Sequence, residues 1–185
     1  MPAIVSVEVT SAALHEKTVL RHLLELYKYD FSEFTGEDVD AHGLFGYRYL
    51  DHYWTEPARW PFLFKVRPAA AGSGAEGRLA GFALVSDRTI LPENAGGFDL
   101  AEFFVLRRHR RQGIGVAAAG QLFDRFPGRW EVRALAENTG TVAFWRRAIG
   151  ACTGGAFQEV ILDNDAWRGP VQSFVAAGPG ARARN

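Results

Sequence analysis

The chain has 185 residues, 48% of them hydrophobic and 13% aromatic, and this composition indicates one folded domain with a substantial core rather than a disordered chain. Lysine plus arginine and aspartate plus glutamate number 21 each, so the formal net charge is zero and the chain lacks the basic excess of a nonspecific nucleic-acid binder. The single cysteine, Cys152, excludes an intrachain disulfide, a zinc cluster built from thiols and a redox pair.

The first residues have the pattern of a strand and not that of a targeting segment. Residues 4–9 alternate, with Val5, Val7 and Val9 on one side, and they lack the basic start and apolar core of a signal peptide. The chain has no run of 18 apolar residues. We therefore expect an intracellular, cytoplasmic protein without a membrane partner.

The next elements are a helix and an aromatic segment. Residues 11–29 are predicted to form a helix because apolar side chains recur at helical spacing. These side chains are Leu20, Leu23, Leu24 and Tyr27. Residues 38–60 are aromatic and less decided, and four of them fit a helix face that Pro57 and Pro61 would end. The four are Tyr47, Leu50, Tyr53 and Trp54.

The rest of the chain predicts strands interleaved with helices. Residues 61–66 and 79–85 are predicted to be neighbouring strands, and the connection at 69–77 is expected to be mobile. Further strands are predicted at 98–106, 130–135, 157–162 and 171–176, and helices at 116–126 and 141–149. We expect one mixed α/β domain over residues 1–177, followed by a loose tail at 178–185.

A basic loop with two glycines separates the strand at 98–106 from the helix at 116–126. Its sequence is RRHRRQGIG, residues 107–115, and Gly113 and Gly115 stand one residue apart. Glycines let the backbone turn and approach a ligand closely, and the first turn of a helix leaves N–H groups unpaired. This order predicts a loop that binds a phosphate. A nucleic-acid patch is the less favoured interpretation, because the chain as a whole is neutral.

A dinucleotide-binding fold of the GxGxxG type fits the loop poorly. Ala118 occupies the place of the third glycine, and we expect no β-α-β unit of a parallel nucleotide-binding sheet after the loop. A pair of glycines alone is weak support for any cofactor, so the residues around it matter more.

Two elements of the chain together resemble the GCN5-related N-acetyltransferase (GNAT) superfamily. Arg110, Gly113 and Gly115 are similar to the acetyl-CoA pyrophosphate loop of that family, written as Gln or Arg, two residues, Gly, any residue, then Gly or Ala. Farther along, Asn138 and the aromatic pair at 144–145 resemble the family's second CoA-contacting element. The two elements together are far more specific than either alone.

The resemblance, which covers roughly residues 81–150 by motif, implies a fold whose fourth and fifth strands splay apart to admit pantetheine. It implies that the edge of the fourth strand binds the pantetheine amides, that loop N–H groups and an arginine bind the pyrophosphate, and that the Asn contacts the pantetheine arm. The cofactor-binding residues implied in this way are Phe104, Val105, Leu106, Arg110, Arg111, Gln112, Gly113, Ile114, Gly115, Val116, Asn138, Phe144 and Trp145. The implied cosubstrate is acetyl-CoA, with no metal.

The chain departs from the family pattern where a catalytic acid often stands. The family often has a Tyr after the Phe of the second element, and the Tyr hydroxyl protonates the leaving CoA thiolate. Here Trp145 holds that place, and an indole does not act as this acid, so another acid or water must serve. Thr141 stands where a small residue is usual, and Arg107 replaces a proline often found early in the loop.

Glu102 is the candidate general base, because an ammonium group must lose a proton before it attacks a thioester. Strand alternation predicts that Glu102 shares a face with three apolar residues, among which desolvation would raise its pKa. The three are Phe98, Leu100 and Phe104. The alternative is a structural carboxylate, paired with an arginine or exposed at an edge. The sequence leaves both interpretations open.

Other chemically capable residues are expected to be structural. His42 and His52 are more often structural or surface residues than acceptor-site residues, and no His pair has metal-ligand spacing backed by a carboxylate. Cys152 does not belong to a recognisable sequence constellation with His and Asn or Asp, and it is expected to be a small packed residue. The aromatic residues expected first in the core or a dimer contact, and second in the wall of an acceptor site, are Tyr47, Tyr49, Tyr53, Trp54 and Trp60.

The resemblance implies an α/β (α+β) GNAT fold with a central mixed, mostly antiparallel sheet flanked by helices. It implies an acyltransferase that moves an acetyl group from acetyl-CoA directly to a primary amine, mainly through positioning and polarisation of the thioester carbonyl. The rival hypothesis is a noncatalytic acyl-CoA sensor or interaction module that keeps the cofactor loop but lacks the acid. We expect no nucleic-acid partner, and the acceptor and a homodimer are left open.

Overall fold

Seven strands form one open sheet in the computed structural model, which describes residues 4–68 and 76–179. The order across the sheet is β1-β2-β3-β4-β5-β7-β6. The strands are β1 Ile4–Ser11, β2 Arg59–Pro68, β3 Arg78–Ser86, β4 Phe98–Val105, β5 Gly128–Arg133, β6 Phe157–Asp163 and β7 Arg168–Ala176. The helices are α1 Lys17–Thr35, α2 His52–Thr55, α3 Ile114–Arg125 and α4 Thr139–Thr153. Most of the predicted mobile connection at 69–77 and of the predicted loose tail at 178–185 lies outside the described residues.

The described sheet is mixed and mostly antiparallel, as predicted. β4 and β5 are parallel and are connected by α3, whereas the other five neighbouring pairs are antiparallel. β4, α3 and β5 form one parallel β-α-β unit, with the basic loop between β4 and α3. A single parallel pair still does not make a doubly wound nucleotide-binding sheet.

The helix predicted at 11–29 begins and ends later than expected. The Ala12 N–H donates to the Pro61 carbonyl at 2.9 Å, so the chain stays attached to the sheet edge through this region. A short 3-10 turn follows, and α1 then continues to Thr35, after which Gly36 ends it at a φ of 64°. None of the described helices is both long and apolar enough to cross a membrane.

The aromatic segment at 38–60, which the sequence left undecided, is mostly irregular. The helix face suggested between Tyr47 and Trp54 is wrong for most of its length. Only the four residues of α2 are helical. Gly43 and Gly46 adopt φ values of 75° and 65°, and an α-helix does not continue through such residues. Leu50 and Tyr53 are nevertheless buried in the same cluster as the apolar face of α1. The apolar pattern of the segment therefore indicates buried side chains and not a helix.

Apolar side chains fill both faces of the sheet. One cluster joins the sheet to α3 and α4, with Phe123, Trp130 and Ile149 fully buried. The second cluster joins the opposite face to α1 and α2, with Leu20 and Phe82 fully buried. Removal of these side chains from water is the main favourable contribution to folding.

β4 and β5 pair over only three residues of each strand and then part. The paired residues of β4 are 98–100, whereas β4 continues to Val105 beside β3, and β5 continues beside β7. The side of β4 that faces β5 therefore has no strand partner from Ala101 onward, and the predicted splay of the fourth and fifth strands is confirmed. Backbone groups left in this way need other partners, which makes the gap a place for a ligand.

A β-bulge in β4 decides which side chains face which helices. Two consecutive residues of β3 lie opposite Glu102 and Leu100, so Ala101 is an extra residue in β4. An extra residue reverses the alternation of side chains beyond it. The prediction that Glu102 shares a face with Phe98 and Leu100 is therefore wrong, because these two lie in the cluster with α3 and α4. It is right for Phe104, which lies in the cluster with α1 and α2.

Gly81→Ala is expected to destabilise the ladder between β3 and β4. A Cβ at Gly81 would lie 2.0 Å from the backbone oxygen of Phe104, so the two strands would have to move apart. We expect the free energy of unfolding in urea to fall by roughly 1–3 kcal/mol. Gly150→Ala in α4 is the control, because nothing lies within 4 Å of its Cβ and alanine favours a helix by up to about 1 kcal/mol. Equal stability of the two variants would contradict this account of the ladder.

Candidate active site

The loop before α3 presents a run of unpaired backbone N–H groups. Within the residues that the structure describes, the N–H groups of 111–116 have no protein acceptor, and the Ala117 N–H is the first after them to bond, at the Gly113 carbonyl. Arg111 and Gly113 adopt positive φ values of 61° and 77°, and such turns gather successive N–H groups into an anion-binding concavity. The positive end of the α3 dipole points to the same place.

Two arginines of the loop are tied to α1. The Arg107 Nε donates to Asp30 at 2.9 Å, and Arg110 forms an ion pair with the other oxygen of that carboxylate. The Arg110 Nε also donates to the Val105 carbonyl at 2.8 Å, and its guanidinium lies 5.4 Å from the Phe104 ring centre. Partial burial would raise the pKa of Asp30, but the hydrogen bonds from the two arginines lower it.

The remaining loop residues are more accessible. Arg111 is exposed and has no hydrogen bond or ion pair within the part of the chain described, while the Gln112 side chain donates to the Arg108 carbonyl at 2.8 Å. Of the two arginines predicted to assist pyrophosphate binding, Arg110 is thus engaged in the protein and Arg111 is available.

The two predicted cofactor elements meet at Gly115. A Cβ at this position would lie 3.0 Å from two ring atoms of Phe144, so any side chain would push the ring away. Phe144 also stacks on Phe103 of β4, with ring centres 5.9 Å apart. The sequence suggested that Gly115 serves the turn of the loop, whereas the structure gives it a packing role against α4.

The other residues of the second element begin and anchor α4. Asn138 is the N-cap, and its Oδ1 accepts the Thr141 N–H at 3.0 Å, which leaves the Nδ2 donor group for another partner. Trp145 is 4% exposed and packs edge-on against Phe103 with ring centres 4.9 Å apart. Trp145 is therefore a core residue that supports the strand beside the gap.

The edge of β4 that was predicted to bind pantetheine is partly used by the protein. The Leu106 N–H donates to the Ala80 carbonyl at 2.8 Å and so faces β3. Because backbone groups alternate in direction along a strand, those that face the gap belong to Phe103 and Val105. The Val105 carbonyl accepts Arg110, as described above. Phe103 is a residue that sequence reasoning missed, since nothing in the sequence indicates which strand edge each amide faces.

Glu102 lies on the face covered by α1 and α2, close to the point where β4 leaves β5. Burial raises its pKa from the ordinary 4.5 to about 7, and hydrogen bonds from the Tyr27 and Tyr47 hydroxyls oppose this rise. Burial raises the pKa of Tyr27 as well, and Glu102 adds to the shift, so the phenol remains a donor. A carboxylate of this kind is matched to proton transfer near neutral pH. The sequence assigned Tyr27 only to the apolar face of a helix.

A second buried carboxyl group borders Glu102. Asp99 is 1% exposed, and it accepts hydrogen bonds from Arg133 at 2.8 Å and from the Ser86 hydroxyl at 3.4 Å. Burial raises the pKa of Asp99 to about 6, although Arg133 opposes the rise. The Arg133 guanidinium also lies 5.3 Å from the Trp167 ring centre. The side chains of Asp99, Arg133 and Trp167 thus form a cluster beside the candidate base Glu102.

The aromatic residues predicted for an acceptor wall divide between the two faces of the sheet. Tyr47 and the buried Tyr53 interact electrostatically with Glu102. An open pocket of about 570 Å³, lined mainly by the segment between α1 and α2, borders Tyr47. Trp60 lies on the opposite face, with its ring centre 5.8 Å from that of Phe98, and does not border Glu102.

The remaining candidate residues have structural surroundings. Trp54 donates from Nε1 to a backbone carbonyl at 3.0 Å. His42 is exposed, and His52 lies 3.0 Å from Glu56. Cys152 is half-buried and packs against the core cluster of α3 and α4. Over the described ranges, no group of three or more His, Cys, Asp or Glu side chains is arranged to hold a metal ion.

The mixed seven-stranded sheet, the diverging parallel strands and the N–H-lined loop between them define the architecture of the GNAT fold. A family model described as the acetyltransferase (GNAT) family matches residues 23–151. The chain belongs to this family of acetyltransferases, and the resemblance predicted from the sequence is confirmed.

Solved structures agree with this assignment of the fold. The chain is similar to a histone acetyltransferase HPA2 and related acetyltransferase from Corynebacterium glutamicum, at 16% identity and a TM-score of 0.62, over 96% of this chain and 100% of the other. It is similar to a GNAT-family acetyltransferase from Staphylococcus aureus, at 12% identity and 0.59, over 92% and 99%. It is also similar to a spermidine N-acetyltransferase from Vibrio cholerae solved with CoA and spermine, at 10% identity and 0.57, over 92% and 95%. A sequence comparison with curated proteins finds no match.

Glu102→Gln is expected to stabilise the fold more at pH 8.5 than at pH 4.5. The pKa of Glu102 is raised to about 7 on folding. Below the ordinary pKa of 4.5 the carboxyl is uncharged in the folded and the unfolded protein, so it does not lower the free energy of unfolding there. Stability is lost as the pH rises through the interval up to 7, and the cost then stays constant. We expect the variant to gain on the order of 1–3 kcal/mol over the wild type between the two pH values in urea unfolding. A difference that does not change with pH would contradict the raised pKa.

Proposed function

We propose that this protein is an acetyl-CoA-dependent N-acetyltransferase that transfers an acetyl group directly to a primary amine. The observation that carries the proposal is the convergence of three features on the end of β4. These are the strand edge left open by the splay, the unpaired N–H groups of the loop, and the carboxylate of Glu102. The first two suit the cofactor, and the third suits the amine.

The cofactor is proposed to follow the open edge of β4 into the loop. The pyrophosphate would accept hydrogen bonds from the N–H groups of 111–116, with charge supplied by Arg111. The pantetheine amides would pair with the backbone groups of Phe103 and Val105 that face the gap, as an added strand pairs with a sheet edge. The free Nδ2 of Asn138 is a donor at the other wall of the gap.

The chemistry assigned to Glu102 is the removal of one proton from the acceptor's ammonium group. The amine nitrogen then attacks the thioester carbonyl carbon, the C–N bond forms, and the C–S bond breaks to release CoA thiolate. The bulge turns Glu102 to the face that carries the tyrosines, so the amine is expected to approach from the α1–α2 side. Water or an acid other than Trp145 would protonate the thiolate.

The acceptor is proposed to enter beside Tyr47. The pocket next to that residue is open, and its wall comes from the irregular segment between α1 and α2. The name of the Vibrio cholerae relative indicates that it acetylates spermidine. A primary amine is therefore the class of acceptor that we propose for this chain, without further choice among small amines, amino acids, antibiotics and protein amines.

A noncatalytic acyl-CoA sensor is the second candidate, and the buried position of Trp145 favours it. An indole packed in the core leaves no hydroxyl where the family resemblance expects an acid. A sensor would bind acetyl-CoA as an enzyme does, but it would not release CoA in the presence of any amine. Binding and turnover therefore have to be measured separately.

Gly113→Glu is expected to abolish acetyl-CoA binding in calorimetric titration. A carboxylate at the centre of the N–H run would repel the pyrophosphate, and such like-charge contacts cost several kcal/mol, which corresponds to a loss of roughly 100-fold or more in affinity. The loop has room for a Cβ at Gly113, because no atom lies within 4 Å of that position.

Gly113→Gln is the matched control for this titration, because it has the same shape and the same backbone strain at a φ of 77° without the charge. Binding by the Gln variant that is much stronger than binding by the Glu variant would support the phosphate site. Absence of binding by a folded wild type would remove the basis of the proposed function.

Glu102→Gln is expected to lose most of the turnover measured by CoA release with a reactive amine. Loss of a general base typically costs about 10²–10⁴-fold in rate. In the wild type kcat/KM should rise with pH through the pKa of about 7 assigned to Glu102, because the ionised carboxylate is the active form. The variant should lose that limb of the profile and keep its affinity for acetyl-CoA. Full turnover by the variant at every pH would exclude Glu102 as the base.

A further inference from the structure

One turn of α1 contacts both halves of the proposed site. The Tyr27 ring packs against Phe104 of β4 and its hydroxyl interacts electrostatically with Glu102. Asp30, three residues later, binds Arg107 and Arg110 of the phosphate loop. Residues three apart in a helix lie on the same face, about 5–6 Å from one another. The carboxylate proposed as base and the loop proposed for the cofactor are therefore attached to the same helical turn.

Aromatic packing makes this connection continuous between the helix and β4. The ring centre of Phe104 lies 5.8 Å from that of Tyr27 and 5.4 Å from the Arg110 guanidinium. Arg110 also donates to the Val105 carbonyl at 2.8 Å. The Asp30 side chain is only 12% exposed, so its two ion pairs are less screened than those of an open surface. A shift of α1 at this turn would move all of these contacts together.

We propose that Asp30 is a positioning residue, which holds the Tyr27 hydroxyl against Glu102 by anchoring α1 to Arg107 and Arg110. This inference rests on the proposed function, in which Glu102 is the general base. Arg110 then links α1 to β4 rather than binding the cofactor. The negative charge of the phosphate is neutralised by the backbone N–H groups of the loop and by Arg111. The ion pairs of Asp30 thereby influence the protonation of Glu102, although Asp30 contacts neither substrate in this proposal.

The groups that face Glu102 determine what the proposal predicts for its pKa. They are Tyr27 from α1, Tyr47 from the segment before α2, Tyr53 from α2, Asp99 from β4 and Arg133 from β5. Displacement of the Tyr27 hydroxyl removes a group that favours the ionised carboxylate, so the pKa of Glu102 rises.

Electrostatics acting through space predicts the opposite result for Asp30. Replacement of its carboxylate removes a negative charge and leaves Arg107 and Arg110 unneutralised, and both changes favour the ionised form of Glu102. The direction of the shift therefore separates a positioning role for Asp30 from a purely electrostatic one.

The experiment is a titration of the Glu102 carboxyl carbon by NMR in the free protein labelled with ¹³C-glutamate. Glu102→Gln assigns the signal by its absence. We expect Asp30→Asn and Tyr27→Phe each to raise the pKa by about 0.5 or more, and the double variant to exceed Tyr27→Phe by no more than ~0.2, because both changes remove one interaction. The rising limb of the kcat/KM profile should move by the same amount.

Glu33→Gln is the matched control. Glu33 is exposed, lies one turn after Asp30 on α1 and influences Arg107 only at long range, so its loss changes the charge without breaking the anchor. It should not raise the pKa of Glu102. Asp30→Ala provides a second route should the Asn variant fold poorly, since alanine favours the helix.

An unchanged or lowered Glu102 pKa in folded Asp30 variants would overturn the positioning role. The titration needs neither acetyl-CoA nor an acceptor, so its result is independent of the proposed function. A wild type without acetyl-CoA binding would reject the proposed function alone, whereas a pKa that fails to rise in the Asp30 variants would reject the anchor alone.

Discussion

The brevity of the parallel contact between β4 and β5 is the constraint on which the rest of the site depends. β4 keeps its antiparallel ladder with β3 to its end, but it leaves β5 after three residues of pairing. Backbone groups on the open side must find partners elsewhere. Phe103, Phe144 and Trp145 pack together beside the gap, so the strand keeps its shape without the missing neighbour. The same strand carries a bulge, which turns Glu102 away from this aromatic group and toward the tyrosines of the other face.

Glu131 and Glu102 are two carboxylates of the sheet with different surroundings. Glu131 is fully buried and accepts the Ile90 and Leu91 N–H groups at 2.7 and 2.8 Å, together with the Asn94 side chain at 3.1 Å, so it holds a loop in place. Glu102 interacts instead with phenol hydroxyls, and burial raises its pKa to about 7 although these hydroxyls oppose the rise. Such a group is a cost to folding that the two apolar clusters offset. This cost accords with the proposed role of Glu102 as the general base.

Most strands and the loop were predictable because their signals are local. Alternation and helical spacing located β1 to β7, α3 and α4 to within a few residues, and the glycine pair located the loop with the unpaired N–H groups. The bulge was not predictable, because an extra residue leaves no mark in a strand that is apolar on both faces. The tie between Asp30 and Arg107 joins residues 77 apart, and no pattern in one sequence connects them. The irregular backbone between α1 and α2 was not predictable for a different reason. Gly43 and Gly46 permit turns there, and apolar residues on such turns can be buried without helical periodicity.

The capping bond of α4 also has a consequence for chemical recognition. A side-chain amide has one oxygen and one NH₂ group, and a flip of 180° ordinarily exchanges them. At Asn138 the first turn of the helix takes the oxygen, through the Thr141 N–H, so the flip would break the cap. The cap thus leaves the NH₂ group, and not the oxygen, for a further partner. In the proposed cofactor complex, the group that meets this amide must therefore offer a lone pair, and a helix terminus rather than the ligand decides the polarity at this position.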